Sequence, residues 1–130
     1  MSALYLDSSA IVKLAVEEPE SAALRRRLRR RRPLVTSAIA RTEVLRALLP
    51  AGRQAVAMGH EVLARLDFVR VNDRVLSAAG ALLPVELRSL DAIHLATAAE
   101  LGVDLAALVT YDERMAGVAR RLGHRVIAPS

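Results

Sequence analysis

The sequence predicts an α/β fold: a three-layer sandwich in which helices cover both faces of a mostly parallel sheet of about five strands. Two observations predict it. Five short apolar runs, interleaved with about seven helical patterns, recur along the 130 residues. The linkers between them are too short to separate two domains and no internal repeat is present, so one core accounts for residues 1–130.

Residues 3–6 (ALYL) are an apolar strand ending at Asp7, and Ser8 and Ser9 then open a helix carrying Ile11, Val12, Leu14 and Ala15. Glu17, Glu18 and Pro19 break it. A second helix is expected from Glu20 to about Arg31, with Leu24 and Leu28 four apart on a narrow apolar face, until Pro33 stops it. Residues 34–36 form a brief strand, and Ser37 caps a helix through Leu49 with Glu43 in its interior. After a turn at Pro50, Ala51 and Gly52, an amphipathic helix spans residues 53–66 and leads into an alternating strand, residues 68–71. Asn72 and Asp73 cap a helix through Leu83, which Pro84 ends. Ser89 begins the helix LDAIHLATAAELG, with Gly102 as its terminating glycine. Residues 106–110 form a strand, Asp112 opens a helix to Leu122 that Gly123 ends, and residues 125–128 form the last strand.

Composition narrows the function. Apolar residues make up 53% and charged residues 25%, which suits a folded domain and not a disordered chain. Cysteine is absent, so disulfides, thiolate metal sites and cysteine nucleophiles are excluded together. The first residues, MSALYLDSSA, have no basic leader and no segment approaches 18 uncharged apolar residues, so a cytoplasmic protein without membrane contact is expected. The net charge of +5 is one patch: residues 25–32 (RRRLRRRR) hold seven of the 19 basic residues. No G-x-G-x-x-G or Walker A glycine run follows the first strand, so a nucleotide cradle is not expected.

Four acids, Asp7, Glu43, Asp91 and Asp112, stand where strand patterns give way to helices or on helices that could face such junctions. In a parallel α/β sheet, ligands bind in the crevice outside the carboxyl ends of the strands, so acids from separate segments can converge there. Each has a simpler explanation. Asp7 and Asp112 suit helix caps and Asp91 a first helical turn, positions where acids are favoured by about 1 kcal/mol. Glu43, read as mid-helix in a segment patterned for burial, has no capping role and calls for a partner or a cation. Clustered carboxylates repel by about 4 kcal/mol per close pair at an effective dielectric near 20, so such a cluster persists only with metal or protons. Mg²⁺ or Mn²⁺ fits an all-oxygen donor set and serves phosphodiester hydrolysis.

The segments LYLDSSAIVKLAVEEPES, TSAIARTEVLRAL, SLDAIHLATAAELG and LVTYDERMAGVARRLG resemble, in this order, the four signature regions of PIN-domain ribonucleases, specifically VapC-type toxins of bacterial toxin–antitoxin pairs. The resemblance runs from Leu4 to about Pro129. It implies a PIN-like fold and metal-dependent endonucleolytic cleavage of RNA, with Asp7, Glu43, Asp91 and Asp112 as the Mg²⁺ or Mn²⁺ site. Thr110 matches a supporting hydroxyl position. It also implies a homodimer and a VapB-type antitoxin, in a heterotetramer or higher complex, with the antitoxin's C-terminal segment in a groove between the early helices.

Other residues carry weaker signals. His94 lies one helical turn after Asp91, but the apolar helix around it favours a packed, hydrogen-bonded histidine over a ligand. Arg25, Arg26, Arg29 and Arg30 are candidates for non-specific phosphate contacts, against the alternative of a solvated, self-repelling helix end. The aromatic residues are Tyr5, Phe68 and Tyr111, too few for base stacking to carry specificity. The competing function is a non-catalytic RNA-binding module that uses the arginine tract, with the acids as caps. An aspartyl-phosphate phosphatase is disfavoured, because Ser9 stands where its second aspartate belongs.

Overall fold

The structure is a computed structural model and describes residues 2–130. Five strands, β1 (Ala3–Leu6), β2 (Leu34–Ser37), β3 (Asp67–Val69), β4 (Leu105–Val109) and β5 (Val126–Ile127), form one sheet in the order β3-β2-β1-β4-β5. Every neighbouring pair is parallel. The chain builds outward from β1 to β2 and β3, then crosses to add β4 and β5 on the other side. The order therefore reverses between β1 and β4, and a crevice opens at their carboxyl ends.

Seven helices cover the sheet: α1 (Ser8–Ala15), α2 (Ser21–Arg27), α3 (Ala40–Leu48), α4 (Arg53–Leu63), α5 (Asp73–Gly80), α6 (Ser89–Ala99) and α7 (Glu113–Arg121). Alternation along the central strands sorts the layers. Leu4, Leu6, Ala107 and Val109 pack with Ile11, Leu24, Val44, Leu48 and Val62 on the face of α1 to α4. Ala3, Tyr5 and Leu108 pack with Leu95, Ala98, Met115 and Val118 beneath α6 and α7. The helix α5 lies on α6 through Val75, Ala79, Ala92 and Ala96. The central strands are buried on both faces, as a parallel sheet requires.

Several boundaries differ from the sequence expectation. The helix α2 ends at Arg27, not near Arg31. Beyond Arg27 every ionisable side chain up to Pro33 is an arginine, so no opposite charge at i+3 or i+4 supports another turn. Ser37 completes β2, and its hydroxyl accepts from Ile39 N at 3.3 Å before α3 begins at Ala40. Glu43 consequently lies in the first turn of α3, not in mid-helix. The strand β3 is Asp67–Val69 and α5 stops at Gly80, short of Leu83. Asn72 caps α5 as expected, accepting from Val75 N at 3.0 Å. Gly102, with φ +52°, opens a short 3₁₀ turn after α6 has ended at Ala99. Among the described residues no helix is long and apolar enough to cross a membrane.

Candidate active site

All four acids lie at helix starts. Asp7 is the N-cap of α1, Glu43 lies in the first turn of α3, Asp91 in the first turn of α6, and Asp112 is the N-cap of α7. Each is therefore near the positive end of a helix dipole, which offsets part of the repulsion among them. Asp7 directly follows β1, and Asp112 follows β4 after Thr110 and Tyr111, β1 and β4 being the two strands that flank the crevice.

Asp7 is the most confined, 4% exposed. Its Oδ1 accepts from Ala10 N at 3.0 Å and from the Ser9 hydroxyl at 2.7 Å, and its Oδ2 accepts from the Thr110 hydroxyl at 2.5 Å. Burial pushes its carboxyl above the ordinary range, more than those three donors and the charge of His94 pull it down. Thr110 in turn accepts from Asp112 N at 3.1 Å, and Ser9 accepts from Tyr111 N at 3.0 Å. Two hydroxyls thus tie the first acid to the segment that bears the last. Asp112 also uses Oδ1 as a cap, accepting from Arg114 N and Met115 N at 3.0 and 3.2 Å.

Glu43 is held by a second network. Its Oε1 accepts from the Ser8 hydroxyl at 2.7 Å and lies 2.6 Å from Nε2 of His94, whose Nδ1 lies 2.6 Å from the Tyr5 hydroxyl. In the neutral ring Tyr5 donates to Nδ1 and Nε2–H donates to Glu43; in the charged ring both N–H groups donate, to the Tyr5 oxygen and to Glu43. Burial pushes the Glu43 carboxyl up, but bonding to His94, the histidine's charge and the Ser8 hydroxyl together hold it below the usual value. His94 is 2% exposed and bonded through both ring nitrogens, the packed histidine that its apolar helix implied. Ser8, Ser9 and Tyr5 carry roles that the sequence did not reveal. Their only signal was adjacency to Asp7.

Asp91 is pushed above the ordinary range chiefly by burial and then by the negative charge of Asp112, with Asp7 adding a smaller push and Arg88 and His94 opposing it. Asp7, Asp91 and Asp112 therefore share one electrostatic environment. The side chains do not close into a cage: among the described residues no group of three or more His, Cys, Asp or Glu stands close enough to hold a metal by itself. Instead Glu43, Asp112 and Asp91 each border a depression of their own. Ser8, Ser9 and Glu43 line one of about 490 Å³, Thr110 and Asp112 one of about 390 Å³, and Asp91 one of about 450 Å³.

The arginine tract lies elsewhere. Arg26, Arg27 and Arg30 line a separate depression of about 360 Å³ with Pro129 and Ser130, and Pro33 O accepts from Leu4 N at 3.0 Å. Arg25 is paired with Glu17 through two bonds of 2.9 and 3.1 Å.

The fold and site define a class, an open doubly wound parallel α/β domain with four acids at helix starts around its switch-point crevice. The chain belongs to the PIN domain family, whose model matches residues 4–121. It is 65% identical over 130 residues, all of both chains, to ribonuclease VapC46 of Mycobacterium tuberculosis. It is 43% identical to ribonuclease VapC35 of the same species, over 97% of this chain and 96% of the relative. Among solved structures, M. tuberculosis VapC20, a sarcin-ricin loop cleaving toxin, superposes with a TM-score of 0.75 at 17% identity, covering 97% of this chain and 99% of that one. VapBC2 from Rickettsia felis, bound to a promoter DNA fragment, gives 0.74 at 13% identity, covering 98% and 99%. The α/β sandwich and the VapC-type PIN resemblance read from the sequence are thereby borne out.

Proposed function

We propose that this chain is an endoribonuclease and the toxin of a VapBC-type toxin–antitoxin pair, cutting the RNA backbone at the acidic crevice with Mg²⁺ or Mn²⁺ as cofactor. The observation that carries the reading is the delivery of Asp7, Glu43, Asp91 and Asp112, by four separate helix starts, to the end of the sheet where its strand order reverses. Full-length relatives named as ribonucleases support RNA as the substrate.

The donor set fits such an ion. It is all carboxylate oxygen, and Mg²⁺ keeps several waters while taking only one or two protein carboxylates, so a closed protein cage is not needed. When bound, a divalent cation lowers the pKa of a coordinated water and neutralises charge on the phosphate. Asp7, Glu43 and Asp91 would hold it, directly or through water, with Asp112 completing the set. The chain's own contribution is positioning. Thr110 and Ser9 fix both oxygens of Asp7, and both bonds to Glu43 fall on Oε1, which orients Oε2. Asp91, whose carboxyl is raised above its ordinary range by burial and by the charge of Asp112, would be relieved of that repulsion by a neighbouring cation.

The same reading gives the protein a VapB-type antitoxin as partner and a homodimer that joins it in a heterotetramer or larger complex. Solved neighbours that are toxin–antitoxin complexes support the antitoxin as partner. Incubating antitoxin-free protein with total RNA and Mg²⁺ or Mn²⁺, with and without chelator, tests the function beside Asp7→Asn. Discrete cut ends that vanish with chelator and in the variant are expected. Folded protein that binds RNA without cutting it in either metal would instead favour a binding module.

A further inference from the structure

We infer that the cleft between α7 and the loop preceding α6 is a cationic subsite that holds the phosphates of single-stranded RNA beside the acidic crevice. This inference rests on the ribonuclease reading above. The cleft has a volume of about 450 Å³, and its lining includes Leu87, Arg88, Asp91, Arg114, Val118 and Arg121. It thus runs from one of the four acids outward along α7.

Three guanidinium groups meet there from distant parts of the sequence. Arg114, Val118 and Arg121 stand at i, i+4 and i+7, one stripe of α7 that spans about 10 Å. Arg88 immediately precedes α6, three residues before Asp91, and its charge reaches that carboxyl. All three arginines are exposed, and among the described residues none takes part in an ion pair. Arg25 and Arg74 differ, being bonded to Glu17 and Glu100. The other acid in the lining, Glu86, pairs with none of them.

Guanidinium forks match phosphate oxygens, and the floor between them is apolar, with Val118 buried and Leu87 half-buried. That combination suits a sugar–phosphate strand, whose charges are spaced along the cleft while its sugars and bases face carbon. An acidic peptide would also meet the arginines, but its carboxylates would then continue into Asp91 and Asp112. The occupant favoured here is the one whose backbone is cut at those acids. In this arrangement Arg88, Arg114 and Arg121 position RNA.

The test is the salt dependence of binding of a short labelled single-stranded RNA, measured by anisotropy in chelator so that nothing is cut. Replacing Arg88, Arg114 and Arg121 together by Ala is expected to reduce the slope of log K against log[salt] by about 2, at about 0.7 per lost phosphate contact on a single strand. Between about 50 and 200 mM salt the native protein then loses roughly twentyfold more affinity than the variant. Lysine at the same three positions keeps the slope, and Arg26, Arg29 and Arg30 replaced by Ala leave it unchanged. An unchanged slope in the cleft variant, in protein that still cuts RNA, overturns the subsite and leaves the ribonuclease standing. RNA binding with the expected slopes in protein that never cuts leaves the subsite standing and removes the nuclease. Absence of RNA binding by the native protein, or loss in the variant of affinity for polyglutamate but not for RNA, overturns the subsite.

Discussion

His94 Nε2 lies 2.6 Å from Glu43 Oε1, a contact made across 51 residues of sequence with the histidine almost wholly buried. The pair is backed by Tyr5, so the carboxylate's orientation depends on a chain of three side chains from β1, α6 and α3.

Replacing His94 by Ala removes a partner from Glu43 and leaves the buried Tyr5 hydroxyl without its own partner. Each buried group so orphaned costs about 1–3 kcal/mol, so urea unfolding is expected to show a loss near the upper end of that range, and cleavage falls with it. Tyr5→Phe removes the hydroxyl itself and costs about 1 kcal/mol, because only one end of the bond is then left unmet. Equal stability of His94→Ala and the native protein would contradict this network.

Thr110→Val keeps the shape of the side chain but takes the donor from Asp7 Oδ2 and the acceptor from Asp112 N. A stability loss of about 1–3 kcal/mol and a marked fall in cleavage are expected, with Thr110→Ser restoring both. Failure of serine to rescue would show that the methyl group, not the hydroxyl, matters.

Asp112 separates capping from chemistry. Asn is as good an N-cap as Asp, so Asp112→Asn should unfold within a few tenths of a kcal/mol of the native protein, while Asp112→Ala loses about 1 kcal/mol. Cleavage is expected to fall strongly in both. Full activity in the stable Asn variant would reduce Asp112 to a cap.

Asp91 has a raised pKa in the folded state, relative to an ordinary value of 3.8. A group raised on folding adds stability below its unfolded pKa, and that stability is lost as pH rises through the folded value. In chelator, therefore, Asp91→Asn should melt higher than the native protein at neutral pH and equally near pH 3. Glu43, held below its ordinary 4.5, behaves oppositely: its contribution is present above that value and lost as pH falls through its folded pKa. Adding Mg²⁺ should raise the native melting temperature and move Asp91→Asn less, because an ion bound only by folded protein stabilises it by mass action. Melting curves with chelator and with Mg²⁺ decide it.

Sequence periodicity carried the number, type and order of the elements, because each strand and helix buries a stripe that local pattern encodes. Asp7, Asp91 and Asp112 were legible for a related reason, since each follows a strand or opens a helix and that position is local, whereas Glu43 stood out as an acid in a segment patterned for burial. Ends were less so. The helix α2 stops at Arg27 and α3 starts only at Ala40, since these limits depend on what the neighbouring turn and strand demand. The contiguous arginines of residues 25–32 drew attention by adjacency, whereas Arg88, Arg114 and Arg121 share a cleft that no sequence window contains.

By itself, then, the sequence determined an α/β sandwich with three acids at helix starts and a PIN-like character, because burial periodicity, caps and motif residues are properties of short segments. Only the tertiary structure decided that the strands run β3-β2-β1-β4-β5, that Thr110 closes on Asp7 and that His94 bridges Tyr5 and Glu43. Those contacts join residues 51 to 103 positions apart. Chain packing, and not local preference, brings such partners within hydrogen-bond reach.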